Sequence, residues 1–257
     1  MALNDSTINV GASDHTRLLG IAIHDSGDAG EAHSHPIYIG AEQHNTEVGW
    51  STLYNIPRSR AVVQVHMDGY PGCYGAKSIT DIYIHDTSIH DVNGQPILLG
   101  GGVGDIYIYN NLIYNAQKQI ITPAYNDILS IRACGGVANI RLYNNTVYTN
   151  PGVTTSGTVL AWGDVAGCSN NLIQASIYNN IFNVTETQDG YSVFNTNYNP
   201  SSTIISDYNI WNGSGGGLPS WHGTHDVIAD PLFADLAGGD FRPKSNYAIG
   251  AGTSALP

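Results

Sequence analysis

The chain has 257 residues, 12% of them charged, and a formal net charge of −12. A charged fraction about half the usual quarter excludes long solvated helices and coiled coils, and a negative balance with no basic cluster argues against nucleic acid as the partner. The length is ample for one large core, and no apolar run approaches the ~20 residues that span a bilayer.

In chain order, residues 1–15 form a short N-terminal segment, 16–212 carry repeats, and 213–257 close the domain. The opening Met1-Ala2-Leu3-Asn4-Asp5 has neither the basic nor the apolar stretch of a leader. Many Asn, Gly, Ser, Thr and Tyr with few Lys nevertheless suit a secreted, extracellular chain.

The repeats are irregular in period. Ile106-Tyr107-Ile108-Tyr109-Asn110-Asn111-Leu112-Ile113-Tyr114 sets the template. Ile82–His90, Ile140–Tyr148 and Ala175–Asn183 repeat it, and Ile21–Ser26, Val48–Tyr54 and Ile204–Trp211 are weaker copies. Aligned on Ile23, Val48, Ile84, Ile108, Leu142, Ile177 and Ile205, the copies lie 24 residues apart at the closest (Ile84 to Ile108) and 36 at the widest (Val48 to Ile84). From Val48 onward a second apolar residue follows five positions later. Five is odd, so a plain strand cannot bury both, and the polar pair between them must be a bend that restores the inward direction. A further short strand follows in most copies, as Pro36–Ile39, Val62–Val65, Pro96–Leu99, Ile128–Ile131 and Thr158–Ala161. Short strands, polar bends and variable intervals predict an all-β fold: a right-handed parallel β-helix, or solenoid, of about seven coils with a C-terminal closing segment.

The bends predict a stacked ladder of Asp25, Asp86, Asn110, Asn144, Asn179 and Asp207, flanked by Ser26, Ser51, Thr87, Asn111, Asn145 and Asn180. Asn tolerates left-handed backbone and can bond to the coils on either side, so the ladder is structural. Outward Tyr109, Tyr143 and Tyr178, after His24 and His85, read as a stabilising aromatic stack, with a sugar platform as the alternative.

These Tyr-Asn-Asn coils resemble the parallel β-helix repeats of secreted bacterial proteins in the pectate-lyase-like superfamily. The tail adds to the resemblance, with Asp207–Trp211, Ala229–Asp235, Gly239–Pro243 and Ala248–Gly252 similar to the closing segment of such proteins. The resemblance implies the fold and a polysaccharide partner. It leaves the activity open among lyases, hydrolases, esterases, tailspikes and noncatalytic adhesins. A coil begins almost at once, at Thr16, so either residues 1–15 make a minimal cap or the chain is truncated; an uncapped end would be a parallel edge open to end-to-end self-association.

Chemistry is sought where the strands before the variable loops end. Aligned on Ile39, Val65, Leu99, Ile131 and Ala161, the next outward position reads Gly40, His66, Gly100, Arg132 and Trp162. His66 and Arg132 would lie two coils apart, roughly 10 Å, across a side-chain-free notch at Gly100. A base beside a fixed cation suits β-elimination at a uronic acid. His66 is the candidate base, Arg132 the carboxylate clamp and Tyr38 the acid or a stacking surface. Gln64, Gly100, Trp162, His35 and Arg60 are candidate substrate contacts, with His33, His44 and Arg58 as second candidates. Glu42, Asp68 and Asp164 are oxygen ligands available to a Ca²⁺ ion. Glu42 and Asp68 could instead be the carboxylate pair of a glycoside hydrolase. His222 and His225 are assigned to the closing segment rather than to a metal. Cys134 and Cys168 are the expected disulfide pair, with Cys73–Cys134 in competition. A polysaccharide lyase is the leading reading, with a noncatalytic glycan-binding or adhesin module, a hydrolase, or a self-assembling structural protein as alternatives.

Overall fold

A computed structural model describes residues 6–11, 13–26, 34–40, 43–57, 59–66, 79–100, 104–116, 128–133, 137–149, 160–164, 172–184, 194–197, 201–213 and 218–254. For Ser6 and residues 132–133, 137, 160–164, 184 and 194–197 it describes the backbone alone.

Short strands of three to seven residues form three parallel sheets of seven strands each. Sheet A holds Ser6–Val10, His35–Ile39, Ala61–His66, Gln95–Gly100, Leu129–Ala133, Leu160–Asp164 and Phe194–Asn197. Sheet B begins with Arg17–Leu19 and runs through His44–Gly49, Thr80–His85, Asp105–Tyr109, Val137–Tyr143 and Leu172–Tyr178 to Thr203–Asp207. Sheet C begins with Ala22–His24 and ends with Ile210–Gly213. The chain passes A, B, C and back to A, each strand pairing with its counterpart one pass on, so the fold is the expected parallel β-solenoid. Ser6–Val10 pairs with His35–Ile39 and already belongs to the stack, which therefore starts ahead of Thr16.

The core is the axis of this prism. Ile37, Val63, Ile97 and Leu129 fill it from sheet A, Val48, Ile84, Ile108, Leu142 and Ile177 from sheet B, and Leu53, Ile89, Ile113, Val147 and Phe182 from sheet C. The five-residue rule holds, but its two end anchors shift. Leu18 pairs with Val48 and is followed five residues later by Ile23, which pairs with Leu53 in sheet C. At the far end Ser206, not Ile205, pairs with Ile177, and Trp211 pairs with Phe182. Ile205 faces outward and is 52% exposed. A one-residue slip exchanges the two faces of a strand, and the slip is affordable at the last strand because the closing segment covers Trp211.

Two residues separate every sheet-B strand from the following sheet-C strand. The first of each pair has left-handed backbone: Gly20, Trp50, Asp86, Asn110, Asn144, Asn179 and Tyr208 all have φ between 46° and 64°. Asp and Asn reach this region at small cost, whereas Trp50 and Tyr208 are strained there. Asp25, expected in this column, instead belongs with Asn55, Asp91 and Asn115 in a second left-handed column inside sheet C. Asp207 is likewise replaced at the bend by Tyr208.

The second residue of each pair builds the ladder. Asn111, Asn145, Asn180 and Asn209 each donate Nδ2–H to the carbonyl of Ile84, Ile108, Leu142 and Ile177, at 2.8–3.0 Å. Each Oδ1 accepts the backbone N–H of the preceding ladder residue, from Thr87 to Asn180. The closing segment ends the series. Asp226 takes the next place, its Oδ1 accepting from Asn209 N at 2.7 Å, while Val227 pairs with Ile210 at the edge of sheet C. Beyond it, the hairpin Phe233–Asp235/Asp240–Pro243 sets Phe241 against Tyr114 and Tyr148.

Candidate functional site

The insertions all flank one sheet. The sheet-B to sheet-C interval never varies, whereas the intervals on either side of sheet A do. They run from 134–136 to 67–79 before sheet B, and from 93–94 to 117–128 after sheet C. Variable loops on a rigid scaffold are where binding and catalytic groups gather, so the edges of sheet A are where to look.

The register there brings His66, Gly100 and Arg132 side by side as the sequence predicts. Arg132 then pairs with Gly163, and Trp162 pairs with Ile131, one residue away from its expected place beside Arg132. Gly40 follows the Ile39–Val65 pair and so stands level with His66. The row across five strands is therefore Gly40, His66, Gly100, Arg132, Gly163. Side-chain-bearing positions alternate with glycines, which leaves room over each glycine. His66 uses that room: its Cδ2 lies 2.7 Å from where a Gly100 Cβ would stand, so the ring leans over Gly100 toward the Arg132 strand. Tyr38 leans along its own chain instead, with Cε1 3.0 Å from a Cβ at Gly40, just past the end of its strand.

The neighbouring row is not open surface. Tyr38, Gln64, Leu98 and Ser130 stand level with one another and are each 3% exposed or less. Gln64 keeps a buried Oε1 without a hydrogen-bond partner among the described residues. His35 is buried with Nδ1 3.1 Å from the Ala61 carbonyl oxygen, in a position that holds two strands together rather than facing a ligand. Arg60 precedes the strand that His66 ends, so six residues, roughly 20 Å, separate them, and the two do not share a site. His44 lies in sheet B. Asp164 pairs by its backbone with Ala133. Glu42, Asp68, His33, Arg58 and all three cysteines lie outside the described residues. Among the described residues no group of three His, Cys, Asp or Glu could hold a metal ion. His225 stacks on Tyr208 and bonds Asp207, as a closing-segment residue should.

The outward aromatics form ladders rather than platforms. His85, Tyr109 and Tyr143 stack at 4.7–5.0 Å with ring planes within 8°. Tyr54, His90 and Tyr114 stack on sheet C at 4.6–5.4 Å with ring planes within 11°. Rings this close cover one another's faces, so these columns offer ring edges and hydroxyls. Burial, with smaller contributions from nearby acids or tyrosines, pushes Tyr83, Tyr109, Tyr143 and Tyr178 above the usual phenol range, which keeps those hydroxyls protonated.

The sequence reading missed a polar cluster at the lower end of sheet B. Glu47 accepts from Arg17 at 2.7 Å and faces His85 Nε2 at 3.0 Å, and His85 Nδ1 faces Asp86 at 2.8 Å. Gly49 makes room for the His85 ring, since a Cβ there would stand 2.6 Å from Cε1. The signal was present as Ile-His-Asp, which recurs at 23–25, 84–86 and 89–91. In each copy the left-handed Asp turns its carboxylate onto the Nδ1 of the preceding His, at 2.7–2.8 Å.

Compared with known proteins, residues 165–256 match the family described as "Disaggregatase related". The match covers the last coils and the closing segment and does not reach the row of His66, Gly100 and Arg132. No curated protein and no solved structure matches the chain.

Proposed function

We propose that the protein is a secreted, polysaccharide-active lyase that cleaves a uronic-acid-containing glycan by β-elimination on the outer face of sheet A. One observation carries this reading. The register sets a titratable ring and a permanent cation on alternate strands, with a glycine between them and a glycine on each outer side. The His66 ring itself covers the central glycine, so a sugar ring would lie outside that ring, across the row, with its carboxylate toward Arg132 and its α-proton toward His66.

In that pose His66 removes the proton on the carbon α to the carboxylate. The electron pair becomes a carbon–carbon double bond, the bond to the glycosidic oxygen on the β-carbon breaks, and that oxygen takes a proton from water, since Tyr38, the acid expected from the sequence, is buried in the neighbouring row. Arg132 binds the carboxylate through two N–H donors and stabilises the charge that accumulates on it. A positioned base of this kind contributes on the order of 10²–10⁴ in rate. A molecule of net charge −12 repels a polyuronate, which is why calcium belongs in the test. Glu42, Asp68 and Asp164 are the carboxylates near the ends of these strands that could supply its oxygen ligands.

The pectate-lyase-like resemblance and the Disaggregatase-related tail support this reading, since cutting an intercellular glycan is one chemistry that breaks up aggregates. The test is a panel of polyuronates followed by the ultraviolet absorbance of the unsaturated product, with calcium and with chelator. A rise with one polymer is expected. A flat trace on every polymer overturns the lyase. New reducing ends without that absorbance would then point to a hydrolase, binding alone to an adhesin, and a concentration-dependent mass to end-to-end assembly.

A further inference from the structure

Among the described residues, two hollows lie on the outer face of sheet B. The larger, about 610 Å³, is lined by His15, Arg17, Asn45, Glu47, Tyr83 and Tyr109. The smaller, about 320 Å³, is lined by Asn139, Arg141, Gln174, Ser176 and Thr203 among others. The strand register puts them on one line. Arg17, Glu47, Tyr83, Tyr107, Arg141 and Ser176 occupy the same outward position in six successive strands. At about 4.8 Å per strand the line from Arg17 to Ser176 is roughly 24 Å long. Tyr107 bridges the hollows, with the Arg141 guanidinium 4.8 Å over its ring and Asp105 pairing that guanidinium at 3.1 Å.

We propose that this line is a second saccharide site, one that holds a neutral, hydroxyl-rich glycan chain lying along the axis of the stack. Three features select that ligand. Tyr83 stacks on Tyr107 on one side, at 4.7 Å, while its next neighbour on the other side is Glu47 rather than a ring. Its free face therefore borders the larger hollow, where a pyranose can pack its C–H face. Around it stand the groups that bond sugar hydroxyls: the Glu47 carboxylate, the Asn45 amide and the Tyr109 hydroxyl. The charges exclude an acidic chain, because Glu47, Asp81, Asp86 and Asp105 outnumber Arg17 and Arg141 on this face, and both arginines are already paired with acids. The site would hold a neutral stretch of a mixed polymer while sheet A works on its uronate. It rests on the glycan reading above but not on the lyase chemistry.

The test is calorimetric titration with neutral hexasaccharides of glucose, xylose, mannose and galactose, alongside the rate on a polyuronate. At least one neutral hexasaccharide is expected to bind. Tyr83→Ser removes both ring face and hydroxyl and is expected to weaken binding at least tenfold. The double variant Tyr83→Phe/Tyr109→Phe keeps the aromatic ladder and is expected to weaken it about five- to tenfold. The polyuronate rate stays unchanged in both. Absence of binding by every hexasaccharide overturns the proposal, as does affinity unchanged in the double variant. So does binding abolished by Arg132→Ala, which would assign it to sheet A. A silent polyuronate assay with intact neutral binding would sink the lyase and leave the groove.

Discussion

Asn145 sits in the middle of the ladder, 1% exposed, and holds two neighbours at once. It donates to the Ile108 carbonyl oxygen at 2.9 Å and accepts the Asn111 backbone N–H at 3.1 Å. Asn145→Ala leaves both backbone groups buried and unpaired. At roughly 1–3 kcal/mol for each buried group left unmade, the variant should lose about 3 kcal/mol of stability in denaturant unfolding. A loss below about 1 kcal/mol would mean that water or a neighbouring side chain replaces the amide. This column was legible in the sequence, because paired Asn recurs at the bend in three copies, at 110–111, 144–145 and 179–180. Its terminus was not. Asp226 joins from 17 residues beyond Asn209, and nothing in its surroundings of His and Gly repeats the coil pattern. The His66–Gly100–Arg132 level was legible for the same kind of reason: Val63-Gln64-Val65, Ile97-Leu98-Leu99 and Leu129-Ser130-Ile131 align on matching apolar residues.

At the scale of elements, that alignment failed where a strand has no clear parity. Leu160-Ala161-Trp162 is apolar at three successive positions, so the sequence pattern leaves the register open, and the backbone of Trp162 pairs with Ile131. The ends of the solenoid misled in another way. Ile23 and Ile205 resemble the sheet-B anchors, but Ile23 lies past its bend and Ile205 lies on the outward row beside Ser176. The closing segment is clamped to the last coil through Asp207, which accepts the His225 backbone N–H at 2.6 Å and pairs with its ring at 2.9 Å. Burial pushes the Asp207 carboxyl up, but the bonds from His225 and the Tyr208 N–H outweigh it and hold it below the ordinary 3.8. A carboxyl depressed in the folded state adds stability at pH above its unfolded value and loses it as pH falls through its folded value. Asp207→Asn should therefore melt lower than the parent at pH 7, and the gap should close in acid below about pH 4. A gap that stays constant between pH 7 and pH 3 would show that the clamp does not work through this carboxylate.

Across the whole molecule, the constant bend and the variable loops divide the labour. The two-residue turn between sheets B and C keeps the stack in register, while the intervals flanking sheet A change length without disturbing the core. That division was readable as irregular spacing around a fixed Asn-Asn motif. The Arg17–Glu47–His85 cluster was not, because its members come from three coils and only the register of sheet B brings them together.

The central claim is that His66 acts as the base on sheet A, two strands from Arg132 in the same row. The measurement that tests it most directly is the initial rate of unsaturated-product formation by His66→Ala on whichever polyuronate the parent cleaves. The account predicts a fall of about 10²-fold or more with the fold intact. It also predicts a smaller fall in Gly100→Ala, whose new methyl would stand 2.7 Å from His66 Cδ2 and push the ring aside. A rate in His66→Ala within a few-fold of the parent would contradict the assignment of the base and move the chemistry off this row.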